Sequence, residues 1–199
     1  MPHKNNTSKR LESTKEYIDK LQENNSKILV VRVDLGYKKP YSDDITLDDA
    51  NKDLNRMYTN MRSKPKIFKE QIGYVIKREY TEDKGVHIHA MLLFNGQQIQ
   101  KDVYKGDEIG KYWEKITKNK GSFHNCNRNE YKQKGVGMLD YKDSEKRKIL
   151  DDNVISYLCK GAQGIKPITQ SKRTKAFTRG TLPKSKENIG RPRKKHDGV

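Results

Sequence analysis

The 199 residues carry 43 Lys/Arg against 26 Asp/Glu, a net charge of +17, and only 32% are hydrophobic while 35% are charged. A chain of this make-up has material for one small core with polar ends, and its positive excess points to a polyanionic partner. No apolar run approaches the roughly 20 residues of a spanning helix, MPHKNNTSKR has no signal-peptide pattern, and Cys126 and Cys159 lack motif spacing; the expectation is a cytoplasmic protein that binds nucleic acid and no membrane.

In chain order, residues 9–25 place Leu11, Tyr17, Ile18 and Leu21 at helical spacing, so 1–26 reads as an N-terminal helix or arm. KILVVRVDLGY, 27–37, is a β-branched strand. Its alternation puts Arg32 and Asp34 on one face and Leu29, Val31, Val33 and Leu35 on the other. Thr46–Arg62 starts with a threonine cap and an acidic first turn, as a helix should. QIGYVIKREY and GVHIHAMLLF flank the turn-rich TEDKG and form a β-hairpin. Residues 102–118 read as a helix weakened by two glycines, GVGMLDY (135–141) as a fourth strand, and Leu150–Lys160 as a short helix stopped by Gly161. Everything past Pro167 is basic and poor in apolar residues, so 168–199 reads as a flexible tail. In its last 29 residues ten Lys/Arg stand against two Asp/Glu.

The order β-α-β-β-α-β then a helix predicts an α+β, ferredoxin-like split βαββαβ antiparallel sheet over 27–167, with helices on one face and the other face free for chemistry. No internal repeat is evident.

In GVHIHAMLLF, residues two apart share a face, so His87 and His89 point to the free side while Val86, Ile88, Ala90, Leu92 and Phe94 face the helices. A hairpin turn centred near Asp83 pairs Glu79 with His87, and one centred at Lys84 pairs it with His89; both put the carboxylate beside the two imidazoles. Two histidines and a glutamate make a site for Mg²⁺ or Mn²⁺, and Zn²⁺ would also fit. The plain alternative is a solvated strand face. YLCK adds Tyr157 and Lys160, one helical turn apart and able to approach one phosphate. A phenol with a pKa near ~10 attacks at neutral pH only with a polarised phosphate and positive charge nearby. Taken alone, a Tyr-x-x-Lys is most often a half-buried helical tyrosine.

The strand VVRVDL, then HIH on a later strand, then YLCK on a helix resembles the replication-initiator class of HUH endonucleases. RVDL, HIHAMLLFNG and the basic C-terminal extension look most like the inovirus-type replication proteins and the prophage YagK/YfjJ group. The resemblance spans about residues 27–165. It implies metal ligation by His87, His89 and Glu79, and a nucleophile Tyr157 that cuts one DNA strand to leave a 3′-hydroxyl and a 5′-phosphotyrosine. It also implies a Lys160 that steadies the phosphate. Arg32 and Asp34 fall where the family's first motif lies. With no second tyrosine within a turn, this is a one-tyrosine pattern. The implied function is site-specific nicking and rejoining of single-stranded or hairpin origin DNA to start rolling-circle replication of a phage, satellite or plasmid. No G-x-x-x-x-G-K-[ST] is present, so unwinding and synthesis fall to a host helicase and polymerase. A one-tyrosine transposase or relaxase is the nearest rival. A non-catalytic ferredoxin-like nucleic-acid-binding regulator is the rival of another class, although the aromatic signature of the common RNA-recognition module is missing.

DNA contacts are expected from Arg32, Asp34 and Lys77 on the sheet and from Arg173, Lys175, Arg179, Arg191 and Arg193 beyond it, with strong salt dependence. IGRPRKKHD has an Arg-Pro core like that of minor-groove hooks, but Ile189 stands where an arginine is usual, so phosphate contact is the simpler reading. His124 and Cys126 read as loop residues rather than a second metal site, and Tyr112 and Trp113 as core rather than base-stacking platforms.

Overall fold

The computed structural model describes residues 3–63, 65–161 and 175–183. Its helices are α1 (His3–Asn24), α2 (Leu47–Ser63), α3 (Pro65–Phe68), α4 (Asp102–Ile116), α5 (Ser144–Ile149) and α6 (Ser156–Cys159). A π-helical stretch, Leu150–Ile155, joins α5 to α6. The strands are β1 (Lys27–Tyr37), β2 (Gln71–Thr81), β3 (Gly85–Asn95), β4 (Gly121–Asn125), β5 (Gly137–Asp140) and β6 (Phe177–Arg179). They form one antiparallel sheet in the order β4-β1-β3-β2-β6, and β5 shares the edge of β1 with β4. The β4-β1-β3-β2 core is the split βαβ, ferredoxin-like α+β arrangement. No helix among the described residues is long and apolar enough to cross a membrane.

Local chemistry accounts for the principal boundaries. Thr46 caps α2 reciprocally: its Oγ1 accepts from the Asp49 N–H at 3.1 Å and donates to Asp49 Oδ2 at 2.6 Å. Gly85 closes the β2–β3 turn at φ +68°, where a Cβ would stand 2.5 Å from the Ser42 carbonyl oxygen. The two glycines that weaken the sequence signal of α4 serve its packing instead. A Cβ on Gly110 would lie 2.1 Å from the Phe123 ring, and one on Gly106 2.5 Å from the Asn125 side chain. Their absence of side chains lets α4 lie directly on β4.

One face of the sheet buries Leu29, Val31, Val33, Leu35, Ile76, Ile88, Ala90, Leu92 and Phe94 against α2, α3 and α4. Trp113 and Tyr112 belong to this core, as their spacing implies. The second face is divided along its strands. Ile28, Val30, Val75, Met91 and Leu93 pack against Tyr17, Ile18 and Leu21 of α1 and against Leu150, Ile155 and Leu158. The other end carries Arg32, Asp34, Lys77, Glu79, His87 and His89. Antiparallel registration brings these polar halves of β1, β2 and β3 to the same end.

Three expectations change. The second face is only half free, because its apolar end needs cover and α1 with the 144–159 helix supplies it. The fourth strand of the ferredoxin-like order is β4, in a stretch read as a polar loop, and Gly137–Asp140 is an additional strand. Its five residues GSFHN show no clean alternation, because β4 is anchored by backbone pairing and by α4 rather than by an apolar stripe. Residues 177–179 are not tail but β6, paired with Val75–Lys77. Three residues are too few to show periodicity, and the edge of β2 supplies their ladder.

Candidate active site

The β2–β3 hairpin registers Glu79 with His87 and Lys77 with His89, and β1 places Asp34 opposite His89. Strand β4 sets His124 beside Asp34. One row thus runs across four strands as His124, Asp34, His89 and Lys77, with Glu79 and His87 in the row nearer the turn. The ligand atoms of Glu79, His87 and His89 all lie within 4.8 Å of one another. Glu79 Oε2 is 2.9 Å from His89 Nε2 and 3.5 Å from His87 Nε2. Neighbouring ligands on an ion with bonds of about 2.1 Å sit about 3 Å apart, so this group is able to hold a metal ion.

Tyr157 reaches this cluster from α6. Its hydroxyl is 3.1 Å from His89 Nε2, and the two rings meet edge to face at 5.2 Å. Leu150, Val154, Ile155, Leu158 and Cys159 bury the inner side of the π–α6 stretch and so fix where the tyrosine projects. Two cations flank the phenol ring: Arg32 Cζ at 4.8 Å and Lys77 Nζ at 4.6 Å from its centroid. Lys77 also pairs with Glu79 Oε1 at 2.7 Å and donates to the Tyr157 carbonyl at 3.2 Å. His89 Nδ1 lies 2.8 Å from Asp34 Oδ1, off hydrogen-bond alignment; both atoms are buried, and Asp34 Oδ1 also has Arg32 Nε at 3.4 Å. His87 Nδ1 faces the Gly85 carbonyl at 3.2 Å.

Charge in this site is coupled. Burial would raise the Glu79 carboxyl, but hydrogen bonds from His87, His89 and Lys77 hold it well below the usual range. Burial likewise opposes ionisation of Asp34, and His89 with Arg32 overcomes it. Burial disfavours a charged His89, yet Asp34 and Glu79 raise its pKa above the ordinary histidine value. Tyr157 is pushed up by burial and by Glu79, against a downward pull from Arg32. A cleft of about 570 Å³ opens onto the site, lined among others by Lys39, Lys84, His124 and Tyr157.

His87, His89, Glu79, Tyr157, Arg32, Asp34 and Lys77 therefore converge, although Tyr157 follows His89 by 68 positions. Lys160 does not join them. It lies just beyond α6 at φ −57°, ψ 150°, with an exposed side chain, so the helical-turn argument fails for it. Lys77 and Arg32 are the cations at the phenol. Lys77, expected as a DNA contact, is buried with its side chain only 3% exposed. Arg179 packs its guanidinium 5.3 Å from the Tyr17 ring centroid, and Lys175 is exposed. Arg173, Arg191 and Arg193 lie outside the described residues. Cys126 sits under Asp34, and burial followed by that carboxylate pushes its thiol up to about 12. It is held protonated, and among the described residues His124 and Cys126 form no second ligand group. The pairing of Lys77 with Glu79 has a sequence signal, since alternation of K-R-E along β2 puts both on one face. The cleft residues Lys39 and Lys84 come from turns that carry no periodic signal.

A family model for the YagK/YfjJ C-terminal domain matches residues 2–179, a span that includes both α1 and β6. No curated protein and no solved structure matches the chain.

Proposed function

The chain belongs to the YagK/YfjJ C-terminal domain family, and from that premise we propose that it is a metal-dependent, HUH-type nickase that cuts and rejoins single-stranded origin DNA to start rolling-circle replication. The observation that carries this reading is the Tyr157 hydroxyl 3.1 Å from His89 Nε2, itself 2.9 Å from Glu79. A half-buried helical tyrosine has no need of a His–His–Glu group at its hydroxyl, whereas a phosphoryl-accepting one does.

His87, His89 and Glu79 would hold the ion, and a mixed nitrogen–oxygen set suits Mg²⁺ or Mn²⁺ in the cell. When bound, such an ion withdraws charge from the scissile phosphate. Tyr157 supplies the oxygen that attacks phosphorus. A P–O bond to the tyrosine forms as the bond to the 3′-oxygen breaks, and the proton lost by the phenol is matched by the one the 3′-oxygen takes up. Arg32, over the ring, favours the phenolate against burial, and Lys77 lies over the same ring. Lys160, exposed just past α6, adds positive charge toward an incoming strand. Attack by another 3′-hydroxyl on the phosphotyrosine reverses the step and rejoins the strand. Unwinding and synthesis are left to a host helicase and polymerase.

The test is to incubate the protein with Mn²⁺ and a panel of single-stranded and hairpin oligonucleotides and to look for a denaturant-resistant protein–DNA adduct. The wild type forms one with a subset of strands, and Tyr157→Phe forms none. An adduct with Tyr157→Phe, or none with any strand, refutes the assignment.

A further inference from the structure

A second cleft, of about 480 Å³, lies between α1 and β6, away from the metal-ligating group. Its lining includes Lys9, Arg10, Ser13, Lys175, Phe177 and Arg179, and no carboxylate. Among the described residues, none of these four cations pairs with an acid. The contrast within α1 is plain, since Lys15 faces Asp151 and Lys20 holds Glu23. Arg10 lies over the Phe177 ring with its Cζ 4.8 Å from the centroid, and donates to the Cys159 carbonyl at 3.4 Å. Arg179 lies 5.3 Å from the Tyr17 ring centroid and donates to Ser13 Oγ at 3.3 Å. Both guanidiniums are thus held in place by rings and neutral acceptors, which leaves their charge uncompensated. Lys9 and Lys175 are exposed at the mouth.

The cleft adjoins the nucleophile. Phe177 registers with Lys77, whose Nζ lies 4.6 Å from the Tyr157 ring centroid, and Arg10 touches the end of the tyrosine helix. On the sheet, the 570 Å³ cleft that Tyr157 lines lies over β4, β1 and β3, and the α1–β6 cleft lies at the opposite edge, beside β2. We propose that the α1–β6 cleft is a second phosphate-binding subsite, which grips the backbone of a single DNA strand on the side of Tyr157 away from the metal ligands. The choice of a DNA strand as ligand rests on the nicking reading. The unpaired positive charge favours a phosphodiester chain, whose successive anions match two fixed guanidiniums and two lysines at the mouth better than one small anion does.

The test uses the full chain and fluorescence anisotropy of a labelled single-stranded oligonucleotide across a salt series. Lys9→Glu/Lys175→Glu changes two exposed residues, so folding is preserved, and circular dichroism checks this. Lys66→Glu/Lys111→Glu, on α3 and α4 across the sheet, removes equal charge as the control. The expected result is at least about a tenfold weaker Kd for the cleft pair than for the control pair, with a salt slope shallower by about 1.4 for two lost single-strand phosphate contacts. Equal affinities for the two pairs would overturn the subsite. So would a loss of binding to anionic phosphatidylserine vesicles with strand binding unchanged. If the cleft pair loses strand binding while wild type forms no covalent adduct with any oligonucleotide, the subsite stands and the nicking reading falls.

Discussion

Replacing Lys77 by methionine keeps the length and apolar stem of the side chain but removes the cation between Glu79 and Tyr157. The pair is well enclosed: 2.7 Å apart, with side chains 3% and 10% exposed. Deleting one partner of a buried pair leaves the other charge unmatched and costs about 3–5 kcal/mol. Glu79 keeps His87 and His89 as neighbours, so the lower end applies, about 3 kcal/mol, with about 1 kcal/mol more for the lost hydrogen bond to the Tyr157 carbonyl. The protein has one tryptophan, Trp113, fully buried in the core, and its fluorescence reports urea unfolding directly. Glu79→Gln in the Lys77→Met background should recover part of the loss, giving a coupling of about 2 kcal/mol in a double-mutant cycle. If Lys77→Met costs less than about 1 kcal/mol, or if the two substitutions simply add, Lys77 is not the counter-charge that holds the cluster together.

Other consequences are as direct. Mn²⁺ at about a hundredfold above its Kd should stabilise the folded protein by about 2.7 kcal/mol, and His89→Ala should abolish that shift in a thermal melt while leaving a folded protein. Without metal, His89 has a raised folded-state pKa, so its contribution to stability is fully present below its unfolded value of 6.5 and is lost as pH rises through the folded value. Urea unfolding measured on that rising limb should therefore show stability falling with pH, and the fall should shrink in Asp34→Asn. For Asp34 and Glu79 the sign is opposite: their depressed pKa values contribute stability above the ordinary carboxylate range, lost as pH falls through the folded values. Gly110→Ala should destabilise by about 1–3 kcal/mol, because its Cβ would stand 2.1 Å from the Phe123 ring; a neutral result in urea unfolding would mean that α4 can shift away from β4.

Much of this architecture was legible in one dimension. β1, the β2–β3 hairpin and the core face of α4 follow from alternation and helical spacing, because their side chains see water on one side and protein on the other. The hairpin also narrowed Glu79 to a neighbour of the histidines, and the observed register, Glu79 opposite His87, is one of the two that turn geometry allows. β4 and β6 were not legible. Their short stretches carry little apolar pattern and are strands only because a neighbouring edge completes their hydrogen bonds.

The sequence alone determined which residue types share a strand face: His87 with His89, Arg32 with Asp34, Lys77 with Glu79. Parity is a local property of the backbone, so no tertiary information was needed. Only the tertiary structure decided which of those residues meet Tyr157. Helix phase suggested Lys160, but α6 ends before it and the backbone turns away. The cations at the phenol are instead Lys77 and Arg32, from strands 80 and 125 positions earlier. Distances across that much sequence are set by how the apolar end of the second sheet face recruits α1 and the 144–159 helix. That packing decision positions the tyrosine over the polar end.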